Sequence, residues 1–264
     1  MEPAPMHLTL THVGGPTTLV ELGGLRLLVD PTFDPPGEYR APSGAVLRRT
    51  APAALTAAAV LPVDVVLLSH DQHADNLDPS GQALLAQVPV AFSTPEAAER
   101  QPAVHGLAPW ERAVLERPDG GALVVTAVPA RHGPEGCEPK TGTVTGFVLS
   151  GAGLPTVYVS GDNAAVELVH EIAERVGEID VALLFAGAAR TPSIDAPLTL
   201  TAADAVEAAR LLGDALVVPV HADSWAHFSE GVDDVVRAFV DAGLDEHLRV
   251  LDPGVPTPLA LRPL

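Results

Sequence analysis

Four strand-like runs of this sequence end in clusters of histidine and aspartate. They are Ser69-His70-Asp71-Gln72-His73-Ala74-Asp75-Asn76-Leu77-Asp78, Val128-Pro129-Ala130-Arg131-His132-Gly133, Val159-Ser160-Gly161-Asp162-Asn163 and Val218-Pro219-Val220-His221-Ala222-Asp223. A side chain at the end of a rigid strand enters a loop-lined cleft with little freedom of position. Together the four ends supply three or four imidazoles and several carboxylates from separated points of the chain. That is the donor set of a hydrolytic metal centre built without sulfur. Sulfur is excluded by count: Cys137 is the only cysteine, and a disulfide or a thiolate zinc site needs several at defined spacing. Any metal is expected on histidine and carboxylate.

The elements that must position these residues follow from pattern. Residues 7–12, 17–22 and 25–30 read as three short strands divided by Gly14-Gly15-Pro16 and Gly23-Gly24, a β-meander. Residues 31–44 are rich in Pro and Gly and are expected to form a surface loop, followed by an Ala-rich helix over 52–60. Residues 63–69 form a β-branched, almost uninterrupted apolar run, as a strand buried on both faces should. Helices are expected at 79–87, 164–176, 201–212 and 232–242, with a helical turn at 95–100. Strands are expected at 88–92, 112–116, 123–128, 144–149, 156–159, 180–185, 216–220 and 248–251. Thr201-Ala202-Ala203-Asp204 has the spacing of a capping box. A meander first and βα units later, in both halves, predict an α/β fold. The expected form is a four-layer αβ/βα sandwich, two mixed β-sheets with helices on the outer faces, in one domain over 1–264.

Composition narrows the function. Fifteen Lys and Arg against 34 Asp and Glu give a formal charge of −19, which repels phosphate backbones, so nucleic acid is disfavoured as a partner. The chain is 47% hydrophobic, yet every apolar stretch breaks well before the ~18 residues of a membrane span. The start, Met1-Glu2-Pro3-Ala4-Pro5, shows no basic patch and no apolar run after it. A cytoplasmic location and a small-molecule substrate are therefore expected.

With these landmarks in this order, the chain resembles the metallo-β-lactamase superfamily, and within it the branch of ascorbate-6-phosphate lactonase and N-acylphosphatidylethanolamine phospholipase D. The resemblance runs from the opening Thr11-His12-Val13-Gly14-Gly15-Pro16 and Leu28-Val29-Asp30-Pro31 through the 70–78 cluster, His132 and Gly161-Asp162 to His221. It implies a hydrolase with one or two divalent ions (Zn, Mn or Fe) and a metal-activated water. The ligand candidates are His70, Asp71, His73, Asp75, His132, Asp162 and His221, with Asp162 between two ions. The family pattern H-x-H-x-D-H is altered here. Anchored on Asp75, Asp71 takes the first place, His73 the second and Asn76 the last. Anchored on His70, one residue is inserted and Gln72 or His73 is second. If Asn76 replaces a histidine ligand, the second position becomes oxygen-rich, which favours Mn²⁺ or Fe²⁺ or partial filling.

Asp75 is the candidate proton shuttle, and His227 or Asp223 the candidate donor to a leaving group or substrate contact. Arg131 and Arg190 are candidates for an anionic substrate group, because a guanidinium offers a bidentate fork. Trp225 is a candidate pocket wall, and His12 reads as a hydrogen-bonded core histidine. Asp30 is expected to tie residues 31–34 through backbone hydrogen bonds. The leading expectation is hydrolysis of a small or lipid-like ester, lactone, amide or phosphodiester. The alternative is a metal-binding protein of the same fold with a non-hydrolytic (cyclisation or isomerisation) or ligand-binding role.

Overall fold

The computed structural model describes residues 6–40 and 46–261. The chain opens with β1 (Met6–Gly14), β2 (Thr17–Leu22) and β3 (Leu25–Val29), then β4 (Gly37–Arg40), β5 (Val46–Arg49), α1 (Ala57–Val60) and β6 (Val65–Leu67). It continues through α2 (Pro79–Leu85), β7 (Val90–Ser93), α3 (Pro95–Arg100), β8 (His105–Gly106), β9 (Arg112–Glu116), β10 (Ala122–Pro129), α4 (Glu138–Thr141), β11 (Thr145–Ser150) and β12 (Val157–Val159). The last third alternates α5 (Val166–Val176), β13 (Val181–Phe185), α6 (Ala202–Leu212), β14 (Leu216–Val220) and α7 (Val232–Asp241), and ends in β15 (Thr257–Leu261).

Seven strands form one sheet in the order β15-β1-β2-β3-β6-β7-β8, and six form another in the order β14-β13-β12-β11-β10-β9. Each is mixed: β3 pairs antiparallel with β2 and parallel with β6, and β12 pairs antiparallel with β11 and parallel with β13. The period of two in a strand decides how they stack. Leu27, Val65 and Leu67 meet Val125, Leu183 and Val218 in a core between the sheets. Their neighbours Leu28, Val66 and Leu68 point the other way and pack with Val60 of α1 and Leu84 of α2. On the far side Tyr158, Ala182 and Leu184 pack against α5, α6 and α7. The expected four layers are therefore present, with helices on both outer faces. The capping box also forms, since Thr201 accepts from the Asp204 amide and Asp204 from that of Thr201. Among the described residues no helix is long and apolar enough to cross a membrane.

Three local expectations are corrected, and one strand carried no expectation. β4 lies within the segment expected as loop, residues 31–44, and pairs with β5 in a hairpin separate from both sheets; residues 41–45 lie outside the described residues. The hairpin forms because Tyr39 packs edge-on against Trp225, with ring centroids 5.8 Å apart, and because the Thr50 and Ala226 amides donate across to Ser224 and Arg48. The helix expected over 52–60 keeps only its last turn, since Thr56 accepts from the Ala59 amide and sets the start at Ala57. Residues 248–251 make a single bridge, Leu248 to Val217, instead of a strand. The strand that ends the fold is β15, obscured in the sequence by Pro258. Proline is tolerated there because β15 is the sheet's edge.

One buried ion pair ties the hairpin to the cluster at 70–78. Arg49 lies fully buried with its guanidinium 3.3 Å from Asp78. Asp78 in turn accepts from the amides of Phe33 and Asp34 and caps α2 through the Gly81 amide. Asp78→Ala strands a buried cation, and a loss of about 3–5 kcal/mol in urea unfolding is expected; a change near zero would contradict this role.

Candidate metal centre

The loops that leave β6, β10, β12 and β14 meet at one edge of the sandwich. Their donors form two groups that share Asp162. His70, His73, His132 and Asp162 form the first and Asp75, Asp162 and His221 the second, with ligand atoms within 4.8 Å of one another in each. All but His73 are buried.

Backbone geometry brings them in. Gly161 turns the chain after β12 with φ of +58°, and a Cβ there would sit 2.5 Å from the Thr145 carbonyl oxygen, so no other residue can precede Asp162 without moving β11. Hydrogen bonds then choose which ring nitrogen faces the centre. His132 Nδ1 is 2.7 Å from the Leu198 carbonyl, which only accepts, so Nδ1 carries the proton and Nε2 presents a lone pair towards Asp162 Oδ2 at 3.5 Å. Ser69 Oγ donates to Asp30 at 2.6 Å and therefore accepts from His70 Nδ1 at 2.9 Å. His70 Nε2 then faces His73 Nδ1 at 2.8 Å.

In the second group, His221 Nε2 is 3.3 Å from Asp162 Oδ1 and 3.4 Å from Asp75 Oδ2, yet it makes no aligned hydrogen bond to either. Asp75 Oδ1 and Asp162 Oδ2 are also buried without a partner. Buried polar atoms left without a partner, in groups whose ligand atoms lie within 4.8 Å of one another, are atoms that a bound cation could satisfy. The residues therefore fit divalent ions: three imidazoles and a carboxylate at one position, and two carboxylates and an imidazole at the other.

The charges are strongly coupled. Burial, and then the neighbouring His73, push His70 well below the usual histidine range, and burial and His132 lower His73. Burial also disfavours charge on His221, but Asp162 and Asp75 override it and raise it to about 10. For Asp162 burial works against ionisation and loses to His221 and His132; for Asp75 it loses to His221 and His227, so both stay far below the ordinary carboxylate range.

The choice left open at the first cluster is resolved geometrically. His70 and His73 both enter the first group, with two residues between them. Asp71 is a correction: it turns away to Arg100, 2.6 Å from Nη2, and to Gln101, and joins neither group. Arg131 is also corrected, since its guanidinium is taken by Glu167 and the Gly133 carbonyl. Asp223 serves the scaffold, accepting from His12, the Gly15 amide and Ser224. Burial opposes its ionisation, but these bonds hold it down to about 2. His12 is thus the hydrogen-bonded core histidine expected.

His227 lies outside both groups, its Nε2 3.1 Å from Asp75 Oδ2. Trp225 is buried between Tyr39 and Arg49, and Arg190 is exposed, with its amide bonded to the His227 carbonyl. Asp30 does not serve residues 31–34 with its carboxylate but binds Ser69 and Asn76, and burial raises it to about 7 against those bonds. The Leu198 carbonyl had no sequence signal, because a backbone acceptor carries none.

The family model of the beta-lactamase superfamily domain matches residues 25–222. The chain belongs to that superfamily. A curated relative from Pyrococcus abyssi (strain GE5 / Orsay), named as a metal-dependent hydrolase, is 28% identical over 132 residues, 50% of this chain and 53% of the relative. The match thus spans about half the length of that relative. Among solved structures, the isothiocyanate hydrolase from Delia radicum gut bacteria aligns with a TM-score of 0.78 at 19% identity, over 96% of this chain and 99% of its own. A possible metal-dependent hydrolase from Veillonella parvula DSM 2008 aligns with a TM-score of 0.80 at 19% identity, over 97% and 100%. At these identities the structural likeness is one of fold, and the fold is the metallo-β-lactamase sandwich.

Paired substitutions test the ligand set. His70→Ala should weaken metal binding by more than the roughly 10–100-fold typical of losing a ligand's hydrogen-bond partner, whereas Asp71→Ala should leave it unchanged, both measured by metal titration. Equal losses in the two variants would return Asp71 to the site.

Proposed function

We propose that the chain is a metal-dependent hydrolase acting as a single domain on a small or lipid-like ester, lactone, amide or phosphodiester. The observation that carries this is the pair of donor groups sharing Asp162, in which His221 Nε2, Asp75 Oδ1 and Asp162 Oδ2 are buried without a hydrogen-bond partner. His70, His73, His132 and Asp162 would hold one ion, and Asp75, Asp162 and His221 the other. Zn, Mn or Fe fits these donors, and such an ion supplies a nucleophile at neutral pH by lowering the pKa of bound water from 15.7 to about 7.

The chain's own residues do the rest. Asp162 and Asp75, held ionised, concentrate negative charge where cations bind. His227 Nε2, 3.1 Å from Asp75 Oδ2, passes a proton between that carboxylate and a leaving group. Trp225 stiffens the wall beside His227, with ring centroids 6.3 Å apart, and exposed Arg190 is the remaining candidate for an anionic substrate group. The lactonase and phospholipase branch, a cytoplasmic location and a small-molecule substrate belong to this proposal. Acidic composition supports the exclusion of nucleic acid. The fold likeness to an isothiocyanate hydrolase adds isothiocyanates to the substrates worth testing.

The alternative, a non-hydrolytic or ligand-binding role, is favoured by one observation, Asn76 where the resembled pattern has histidine. Protein purified without added metal or chelator should carry up to two Zn, Mn or Fe per chain by elemental analysis, falling sharply in Asp162→Ala. Chelation should abolish hydrolysis of esters, lactones, phosphodiesters or isothiocyanates, and metal should restore it. Full metal content with no hydrolysis across that panel would favour the alternative, and no metal after reconstitution would defeat both. His227→Ala should lower kcat about 10²–10⁴-fold, the usual contribution of a positioned proton donor, with metal content unchanged.

A further inference from the structure

The two donor groups are unequal, and the inequality runs through Asn76. Its amide nitrogen lies 3.1 Å from Asp162 Oδ1, 3.0 Å from Asp30 Oδ2 and 3.4 Å from Ser69 Oγ. Asp162 is held ionised and its oxygen only accepts, so the side chain must turn its NH₂ towards it. Its own oxygen is buried without a partner. The oxygen of Asp162 that Asn76 engages is Oδ1, the one 3.3 Å from His221 Nε2. The other, Oδ2, is 3.5 Å from His132 Nε2 and accepts no hydrogen bond. Asp162 therefore offers an uncommitted oxygen to the three-histidine group and a committed one to the group of Asp75 and His221.

The other end of the strut is equally defined. Asp30 is fully buried, at the end of β3. Besides Asn76 it accepts from the Ser69 amide and hydroxyl, each at 2.6 Å, and Ser69 orients His70. One buried carboxylate thus fixes a histidine of the first group directly through Ser69 and the shared Asp162 through Asn76. The first group combines three imidazoles with an unencumbered carboxylate oxygen. The second has a single imidazole, the Asp75 carboxylate, and an Asp162 oxygen whose charge is partly drawn off by an amide.

We propose that Asn76 is a positioning residue, not a metal ligand, and that by holding Asp162 through Asp30 it makes the centre fill in order. The His70, His73, His132 and Asp162 position fills first and tightly, the Asp75, Asp162 and His221 position second and more weakly. This rests on reading the centre as a metal site.

Cobalt(II) is the probe, titrated into metal-stripped full-length protein and followed by native mass spectrometry and visible absorption. A one-ion species should dominate before a two-ion species appears, with the second ion binding at least about tenfold more weakly, the lower end of what an outer partner of a ligand controls. The first step should vanish in His73→Ala and survive in His221→Ala, which loses only the second. Asn76→His should strengthen the second step about 10–100-fold with the first unchanged, and Asp30→Asn should weaken the first and alter its cobalt spectrum, which a purely structural role would leave intact. Two ions entering together with equal affinity, or the reverse dependence on His73 and His221, would overturn the ordering while leaving the metal reading standing. No cobalt bound at all would overturn the metal reading and the ordering with it. If Asn76→His does not fold, the wild-type, His73→Ala and His221→Ala titrations still decide the question.

Discussion

Asp75 and Asp162 are carboxylates held out of water beside each other's histidines, and the rest of the structure depends on that arrangement being tolerable. An ionised carboxylate in a protein interior costs several kcal/mol unless positive charge or hydrogen bonds meet it closely. Here the matching charge comes first from His221, lifted to about 10 by the two carboxylates against its own burial. Divalent ions would provide it more completely. Satisfying both carboxylates requires side chains from four strand ends to arrive within a few ångströms, which a two-sheet sandwich with its loops on one edge can do.

Three further aspartates hold those loops. Asp30 connects β3 to Ser69 and Asn76, Asp78 connects the amides after β3 to the start of α2 and to Arg49, and Asp223 connects His12 and Gly15 to the loop after β14. Each replaces solvent around chain that is buried but irregular, where backbone amides would otherwise lack acceptors. Part of the formal charge of −19 is therefore internal scaffold, not solvated surface. The same logic places the β4–β5 hairpin. It belongs to neither sheet, yet Arg49 and Tyr39 dock it on Trp225, two residues before His227, so the wall beside the centre is built from distant chain.

Much of the scaffold was legible because apolar period and turn residues are local. The meander, the capping box at Thr201 and the βα alternation of the second half follow from residues a few positions apart. The misreadings share a cause. The hairpin is stabilised by contacts with 224–226, the helix before β6 is cut short by the Thr56 cap, and β15 contains a proline allowed only because it lies at an edge. Tertiary partners and position in the sheet decide such elements, and neither is visible in a window of neighbouring residues.

At the centre the division is similar. Residue types, order and strand-end placement showed from the sequence alone that imidazoles and carboxylates would be available without sulfur, and the family resemblance pointed to His73, Asp75, His132, Asp162 and His221 among them. Only the tertiary structure decided between His70 and Asp71, withdrew Arg131 and Asp223 to structural partners, and turned Asn76 into a donor. Those outcomes depend on which side chain meets Arg100, Glu167, His12 or Asp30 across the fold. Ligand chemistry is a property of the residue type, whereas the direction in which a buried polar group points is set by its nearest partner, which lies anywhere from one residue to more than two hundred away along the chain.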